Sequence, residues 1–142
     1  MSKLKIEIHS FSYKKGGIPK DESGNGGGFA FDCRGILNPG RVEEYKLQTG
    51  KDSGVQEYLE RQTEMPKFLE TIHNLISITI DNYIERGFGN LQINFGCTGG
   101  QHRSVYAAEK TAEFIRKKYP EVEVTINHDE QPQLNALSDI NL

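Results

Sequence analysis

The sequence predicts an α/β fold, a small mostly parallel or mixed sheet of about four strands with about three helices. Short segments in which apolar and polar residues alternate are interleaved with longer segments that carry an apolar residue at every third or fourth position. The first pattern is typical of half-buried strands and the second of amphipathic helices. Because the two kinds of segment follow one another along the chain, we expect helices packed against one largely parallel sheet.

Four segments have the strand pattern. In the first, Leu4, Ile6 and Ile8 alternate with charged residues. In the second, aromatic residues and a cysteine occupy alternate positions, with charged residues between them near its end. The third and fourth also alternate, so each strand is expected to bury one face. The predicted strands are residues 4–9, 29–34, 91–95 and 122–126.

Three segments have the helix pattern. A short helix is expected from about residue 52 to residue 61, followed by a longer one for which Thr63 can be the N-cap. The apolar face of this longer helix runs over residues 68–83, and two glycines then end it. The third helix is expected to begin near Arg103 and to stop at Pro120. The third strand, third helix and fourth strand together predict a right-handed βαβ unit.

Composition limits the class of protein. The 142 residues are expected to form one domain over residues 1–130 with a weakly ordered tail over 131–142, and no apolar run reaches the ~18 residues of a membrane span. The N-terminus has no hydrophobic signal region, so the expected compartment is the cytoplasm. A net charge of −3 argues against a protein built mainly for nucleic acid. Cys33 and Cys97 are too few for a disulfide framework or a metal quartet, and we expect no cofactor and no metal.

The most informative segment, residues 95–104, joins the third strand to the third helix. A glycine-rich turn at a helix N-terminus can form an anion site, because unpaired backbone N–H groups and the positive end of the helix dipole point outward. A plain tight turn is the alternative, but it would not require a cation such as Arg103, which the helix dipole disfavours unless an anion is near. We therefore predict a phosphate-binding loop. Its candidate phosphate-binding residues are Thr98, Gly99, Gly100, His102, Arg103 and Ser104.

A second group of candidates lies at the end of the second strand. Ligands in parallel α/β sheets bind at the carboxyl ends of strands, so Asp32 and Arg34 are expected to share a pocket with the loop. The alternative is an ordinary surface ion pair, which contributes little to stability. His9 and His128 also stand at strand ends, and each is either a solvated terminus or a ligand contact. His73 is expected on the polar side of the second helix, without a role in the site.

Cys97 and Arg103, with five residues between them, also resemble the phosphate loop of cysteine-dependent phosphatases. In that chemistry a thiolate attacks phosphorus, and its pKa is lowered by the helix N-terminus and a neighbouring cation. Asp32 would then be the general acid. Gly96 and His102 depart from the residues usual at their positions in such loops, and Cys97 has the alternative role of a small buried hydrophobe. No G-x-x-x-x-G-K-S/T segment is present, so a Walker-type ATP loop is not predicted.

Several segments together carry a resemblance to a known family. Shorter ones lie at residues 10–14, 31–34, 38–39 and 47–52, and the longest reads Gly96-Cys97-Thr98-Gly99-Gly100-x-His102-Arg103-Ser104-Val105-Tyr106. In order and spacing they resemble the C-terminal domain of RapZ-type RNase adapter proteins over about residues 8–130. The longest segment is specific to that family, and the shorter ones support it.

The resemblance implies an α/β domain that senses glucosamine-6-phosphate without catalysis and commonly self-associates. We therefore expect a regulatory adapter of amino-sugar metabolism that forms a homo-oligomer, with a protein partner as a further expectation. By the same resemblance the loop holds the phosphate, while Asp32, Arg34 and Asn38 line the sugar side. Asp32 is the expected carboxylate for the ammonium of the sugar.

Two properties of full-length family members are not implied for this sequence. Those members are commonly named nucleotide-binding proteins after an N-terminal Walker-motif domain, which is not found here, so ATP or GTP hydrolysis is not expected. The family also has a basic stretch that is used with RNA. The corresponding residues 126–131 contain neither Arg nor Lys, so RNA binding is not expected either.

Overall fold

The computed structural model describes residues 3–135, which form one sheet and the helices packed with it, and it confirms the α/β class. The strands are β1 (Lys5–Ser12), β2 (Gly28–Asp32), β3 (Asn90–Cys97) and β4 (Glu123–His128). The helices are α1 (Ser53–Gln62), α2 (Met65–Arg86) and α3 (Arg103–Lys118), with two short 3-10 helices at Pro39–Arg41 and Glu43–Tyr45. None of the helices in this part of the chain is long and apolar enough to cross a membrane.

All neighbouring strands of the sheet are parallel, in the order β2-β3-β1-β4. β3 and β4 are connected through α3, as the sequence predicted, but β1 lies between them. Ser12 pairs with Cys97, and Asp32 pairs with Gly96. The last residues of β1, β2 and β3 therefore lie side by side at the carboxyl edge of the sheet, where the candidate site is expected.

The core is formed by the sheet and the apolar faces of the helices. β3 is buried at seven of its eight residues, as expected for a parallel strand with neighbours on both edges. In α2, Leu69, Ile72, Ile76 and Ile80 recur at three- and four-residue spacing and are buried. Leu75 lies within the predicted span of the apolar face but is 47% exposed, because one residue advances the helix by about 100° away from Ile76.

Local hydrogen bonds define both ends of α2. The N-cap of the helix is Glu64, one residue after the predicted Thr63, and the Thr63 hydroxyl accepts a hydrogen bond from the Met65 N–H at 3.1 Å. At the other end Gly87 adopts a φ of +73°, and its N–H donates to the Ile84 carbonyl. Glycine enters this left-handed conformation without steric cost, so the helix ends where the sequence predicted.

The start of the predicted tail packs against the rest of the fold. Residues 132–135 are helical, and Leu134 is buried. The Asn135 Oδ1 atom accepts a 2.7 Å hydrogen bond from the backbone N–H of His128 at the end of β4. The remainder of the predicted tail, residues 136–142, lies outside the described residues, and the division into one domain and a tail stays a prediction.

Candidate functional site

The loop between β3 and α3, residues 98–102, lies at the carboxyl edge of the sheet. Gly100 adopts a φ of +68°, a left-handed conformation that favours glycine. The Ser12 hydroxyl donates a hydrogen bond to the Thr98 carbonyl at 2.6 Å, which ties the loop to the end of β1. The backbone of the loop is thus held to the end of β1 before the chain continues into α3.

Residues that precede α1 hold the other side of the loop. The Gly50 N–H donates to the Gln101 carbonyl at 3.0 Å, and the Gln101 side-chain amide donates to the carbonyls of Lys46 and Gln48 at 2.8 and 2.7 Å. Gly50 has no room for a side chain, because a Cβ atom there would overlap with the His102 carbonyl. The sequence motif around Gly50 therefore supports the loop rather than a ligand directly.

Arg103 is a buried cation at the first position of α3. Only 5% of the residue is exposed. Its Nη1 atom donates to the Ile36 carbonyl at 2.7 Å and to the Arg34 carbonyl at 3.2 Å. Its Nε–H is buried and has no hydrogen-bond partner within residues 3–135. A buried cation with an unused donor at the positive end of a helix is costly unless an anion lies beside it.

His102 is buried just before α3. Its Nε2–H donates to the Tyr45 carbonyl at 2.8 Å. Burial lowers the pKa of His102 below its usual value, and the Arg103 cation lowers it further, although the hydrogen bond to Tyr45 opposes this shift. The lowered pKa favours the neutral form of the ring. Of the predicted phosphate-binding residues, Arg103 alone is left to supply a side-chain charge.

Cys97 and Ser104 face each other, with 3.1 Å between Sγ and Oγ. Cys97 is 3% exposed and Ser104 is fully buried. A nucleophilic thiolate must reach the phosphorus atom of its substrate, whereas this sulfur lies among the buried side chains of the core. The preceding Gly96 cannot carry a side chain, because a Cβ atom there would overlap with the Phe11 ring. These contacts favour the alternative in which Cys97 is a small buried hydrophobe.

Asp32 and Arg34 form a two-pronged ion pair at the end of β2. The Nε and Nη2 atoms of Arg34 donate to the carboxylate at 2.9 and 2.7 Å, and the guanidinium lies 4.0 Å above the ring of Tyr13. The hydrogen bonds from Arg34 hold the pKa of Asp32 below its usual value. Both side chains are 45% exposed, so the pair contributes little to stability. The Arg34 carbonyl accepts a hydrogen bond from Arg103 at the start of α3. The ion pair therefore lies next to the loop that leads into this helix.

Asn38 lies in the segment that connects β2 to the 3-10 helices. Its Oδ1 atom accepts a hydrogen bond from the Gly40 N–H at 2.9 Å and caps the first of those helices. A Cβ atom on Gly40 would be 3.3 Å from the His102 ring, so this segment contacts the end of the loop. The side-chain oxygen of Asn38 is occupied by this hydrogen bond, so its side-chain NH2 group remains as the donor available to a ligand.

His128 and His9, at the ends of β4 and β1, have different surroundings. His128 is fully buried, with Nδ1 2.7 Å from the Ser10 hydroxyl and Nε2 2.7 Å from a carboxylate oxygen of Glu109 on α3. It is therefore not a solvated terminus. His9 is partly exposed and lies 3.3 Å from the Asp129 carboxylate.

The position predicted for His73 is wrong. The residue is partly buried between α2 and α3, where its Nε2 lies 3.0 Å from the Thr111 hydroxyl and its ring stacks on Phe114. Burial lowers its pKa to about 4. The prediction gave α2 one apolar face and placed His73 on the polar side. A helix that also contacts a neighbouring helix buries a wider surface.

Two residues that support the loop, Ser12 and Gln101, were not singled out from the sequence. Their partners are distant along the chain: Ser12 and Thr98 are 86 residues apart, and Gln101 and Gln48 are 53 apart. Hydrogen bonds of this kind leave no local periodicity. The only available signal was the position of Ser12 and Gln101 within the segments that resemble the family.

An apolar groove lies at the opposite, amino edge of the sheet. Because its lining is mainly apolar, it does not offer the fixed N–H donors and buried cation that an anion requires. Within the described residues, no three His, Cys, Asp or Glu side chains are grouped so that they could hold a metal ion. The loop therefore remains the candidate site. The groove is lined by Lys3, Leu4, Ile84, Glu85, Gly87, Phe88, Glu121 and Val122.

The sheet order defines a parallel α/β domain, and the glycine-rich loop and the buried arginine are its candidate anion site at a helix N-terminus. The chain belongs to the RapZ C-terminal domain family, whose model matches residues 4–132. This confirms the resemblance found in the sequence. A nucleotide-binding protein from Endomicrobium trichonymphae is 43% identical over 126 residues, which are 88% of this chain and 41% of that protein.

Two other relatives also match this chain over less than half of their own length. A nucleotide-binding protein from Fervidobacterium nodosum is 38% identical over 124 residues, which are 87% of this chain and 41% of that protein. A nucleotide-binding protein from Cereibacter sphaeroides is 39% identical over 108 residues, which are 76% of this chain and 34% of that protein. The chain thus spans about two fifths or less of the length of the curated relatives that it matches.

Proposed function

We propose that this protein is a non-catalytic binding module for a phosphorylated amino sugar of the glucosamine-6-phosphate type, with the phosphate held by residues 97–104. The observation that carries the proposal is Arg103, which is 5% exposed and has a buried Nε–H without a partner in the described part of the chain. A phosphate beside this residue would accept that hydrogen bond. It would also offset the unfavourable position of a cation at the positive end of α3.

Backbone groups of the loop are the other donors in this proposal. Thr98 and Gly99 are partly exposed, so their N–H groups and the Thr98 hydroxyl are available to a ligand. The Ser104 hydroxyl faces Cys97, and Ser104 therefore contributes its backbone N–H in the first turn of α3. Gly100 contributes the left-handed turn that allows the backbone to approach the phosphate.

The sugar would lie toward the end of β2. Asp32 and Arg34 are half-exposed and adjoin Arg103 through the Arg34 carbonyl. Their carboxylate and guanidinium groups can accept from and donate to sugar hydroxyls, and the amide of Asn38 adds a further donor. Asp32 is already paired with Arg34, so its carboxylate is partly neutralised before any ligand binds.

A sugar phosphate fits this chain better than a nucleotide. The name nucleotide-binding protein belongs to relatives of which this chain matches about two fifths, and no Walker-type segment is present in the sequence. In the proposed role the domain is a regulatory adapter in the cytoplasm that self-associates or binds another protein. Its net charge of −3 does not favour a role on RNA.

A thermal-shift titration tests the proposal. The wild-type protein is titrated with glucosamine-6-phosphate, glucose-6-phosphate, N-acetylglucosamine-6-phosphate and inorganic phosphate. A ligand at 100 times its Kd stabilises a fold by about 2.7 kcal/mol, which is a readable change in melting temperature. We expect the largest shift with glucosamine-6-phosphate and no release of phosphate. A response to inorganic phosphate of the same size would reduce the site to a generic anion site, and no response to any of the four would refute the proposal.

A further inference from the structure

We propose that the solvent-facing side of α2 is a self-complementary interface, on which the α2 helix of a second copy of this chain packs in antiparallel orientation. The inference goes beyond the proposed function, which assigns no surface to self-association, and it does not depend on ligand binding at the loop. Successive residues of the interface are separated by four, four, three, four and three positions, the alternation that keeps one seam in contact between two packed helices. This set, the α2 stripe, consists of six exposed residues: Lys67, Thr71, Leu75, Ile78, Asn82 and Glu85.

The middle of the α2 stripe exposes two large apolar side chains. Leu75 is 47% exposed and Ile78 is 70% exposed, although the opposite face of the same helix is buried in the core. They are three residues apart and therefore lie next to each other on one side of the helix. Single apolar residues are normal on protein surfaces, whereas apolar neighbours on one helix face favour a contact surface.

The α2 stripe also lacks charge over most of its length. Residues 71–80, about three turns of helix, contain no Asp, Glu, Lys or Arg. In contrast, α1 presents Glu57 and Arg61 to solvent, and α3 presents charged residues such as Glu113 in the same way. Depletion of charged residues is typical of the centre of a protein–protein interface, so the exposed face of α2 differs from a face that is only solvated.

Two copies of the α2 stripe match when the helices run in opposite directions. In this register Leu75 of one copy lies opposite Ile78 of the other. Thr71 then comes opposite Asn82, because both lie four residues outward from the central pair. The Thr71 hydroxyl donates to the Lys67 carbonyl at 2.9 Å, so its oxygen remains an acceptor for the Asn82 amide. Each pair occurs twice, because a two-fold axis relates the copies.

Opposite charges stand at the two ends of the α2 stripe. Lys67 lies eight residues before Leu75, and Glu85 lies seven residues after Ile78, so in the antiparallel pair the two charged side chains come to nearly the same level. Within residues 3–135 no ion pair joins either side chain to another residue. A parallel pair would bring like charges together, so charge selects the antiparallel orientation.

The size of the α2 stripe predicts a dimer that dissociates on dilution. A contact along one face of a 22-residue helix, about 33 Å long, is smaller than the interface of a permanent complex. We therefore expect dimers at high micromolar concentrations and monomers at low micromolar concentrations.

Sedimentation of the ligand-free protein over this range tests the inference. Wild type and Ile78→Lys are compared with a matched control, Ile18→Lys, which makes the same change at a 57% exposed isoleucine outside α2. We expect wild type and the control to form dimers with the same dissociation constant. In Ile78→Lys that constant should rise by about tenfold or more, since the two-fold axis places two lysines in the apolar centre of the interface.

Charge reversal tests the orientation. In Lys67→Glu, and separately in Glu85→Lys, the two ion pairs become like-charge contacts, so at low salt the dimer should weaken by about threefold or more. The double variant with both reversals restores opposite charges and should recover the wild-type dissociation constant. Within one copy the two residues are 18 positions apart, about 27 Å along the helix, so this rescue can arise only between copies.

The outcomes separate the surface from the orientation. A wild type that stays monomeric over the whole range would refute the inference. A dimer that Ile78→Lys leaves unchanged would place the contact elsewhere and refute the role of α2. A double variant as weak as the single reversals would refute the antiparallel arrangement. Circular dichroism establishes that each variant keeps its fold, and because no ligand is present, none of these results bears on phosphate binding at the loop.

Discussion

The Nη1 atom of Arg103 donates a 2.7 Å hydrogen bond to the carbonyl of Ile36. This bond joins the first residue of α3 to the segment that follows β2, and the Arg34 carbonyl is a second acceptor at 3.2 Å. The Nη1 atom therefore has a structural role, because it holds the segment after β2 against the start of α3 at the carboxyl edge of the sheet. In the proposed site the Nε–H is the part of the same group that remains for a phosphate.

Replacement of Arg103 should affect binding and stability together. In Arg103→Ala we expect affinity for glucosamine-6-phosphate to fall by about 1.5–3 kcal/mol, roughly 10- to 150-fold, as for the loss of a charge-assisted hydrogen bond. The melting temperature should also fall, since the carbonyls of Arg34 and Ile36 lose their donor. Calorimetric titration well below the melting temperature measures the binding term.

The matched control is Arg61→Ala, which removes an exposed arginine on α1. It should leave both affinity and melting temperature within experimental error of wild type, because exposed ion pairs contribute little. Unchanged affinity in a folded Arg103→Ala protein would show that the phosphate does not bind at this residue.

Cys97→Ser distinguishes a sensor from a phosphatase. The serine hydroxyl can keep a hydrogen bond with Ser104, so we expect the affinity for glucosamine-6-phosphate to stay within about threefold of wild type, a difference well under 1.4 kcal/mol. Neither protein should release phosphate from a panel of small phosphate esters in a colorimetric assay. Turnover by wild type that disappears in Cys97→Ser would instead support the cysteine-dependent phosphatase.

Gly50→Ala should lower the stability of the fold by disturbing the residues that support the loop. A Cβ atom at this position would overlap with the His102 carbonyl and the Tyr106 N–H, and overpacking of this kind costs about 1–3 kcal/mol. Chemical denaturation should show a lower free energy of unfolding. Gly89→Ala is the control, because a Cβ atom there meets nothing within 4 Å. Equal stability of the two variants would mean that the loop does not depend on this contact.

His73 should make stability depend on pH between about 6.5 and 4. Its pKa is about 4 in the folded protein, below the usual 6.5, because it is buried. The unfolded chain therefore binds a proton first as the pH falls, and the stability contributed by neutral His73 is complete above pH 6.5 and decreases toward pH 4. His73→Gln, which does not titrate, should lose about 2 kcal/mol less than wild type between pH 7 and pH 5.

Urea denaturation at the two pH values measures this difference. His102, whose pKa is also lowered by burial, is present in both proteins, so its contribution cancels in the comparison. If wild type and His73→Gln lose the same free energy of unfolding, then His73 is solvated in the folded state and the stacking on Phe114 does not bury it.

Local patterns were sufficient to predict the kind and approximate position of the strands and longer helices, but not the full length of every strand. β1 was predicted to end at His9 and continues to Ser12. The strict alternation stops there, because Ser10, Phe11 and Ser12 are all buried. The two serine hydroxyls are satisfied by the His128 ring and the Thr98 carbonyl. Such partners are known only once the strands are paired, so hydropathy alone could not include these residues.

The candidate site could be proposed from the sequence where its residues are consecutive, but not where they come from separate segments. The loop from Thr98 to Ser104 was recognised because the glycines, the cation and the helix start stand together in the sequence. The contact of Glu130 with Gly100 joins the end of β4 to that loop, and no spacing rule relates the two. The lowered pKa of His102 likewise depends on its burial, which the sequence does not show.

The central place of β1 has a consequence for how the molecule is assembled. β1 comes first in the chain, yet its two neighbours, β3 and β4, come after α2 and α3, and Ser12 and Thr98 are 86 residues apart. During synthesis α1 and α2 can form from local contacts, whereas β1 has no neighbouring strand to pair with until residues 90–97 have been synthesised. Sheet formation therefore requires closure of a long loop, which slows folding relative to helical proteins of this size. Over that interval an apolar strand remains exposed to other chains, and a folding-rate measurement, rather than an equilibrium one, would detect it.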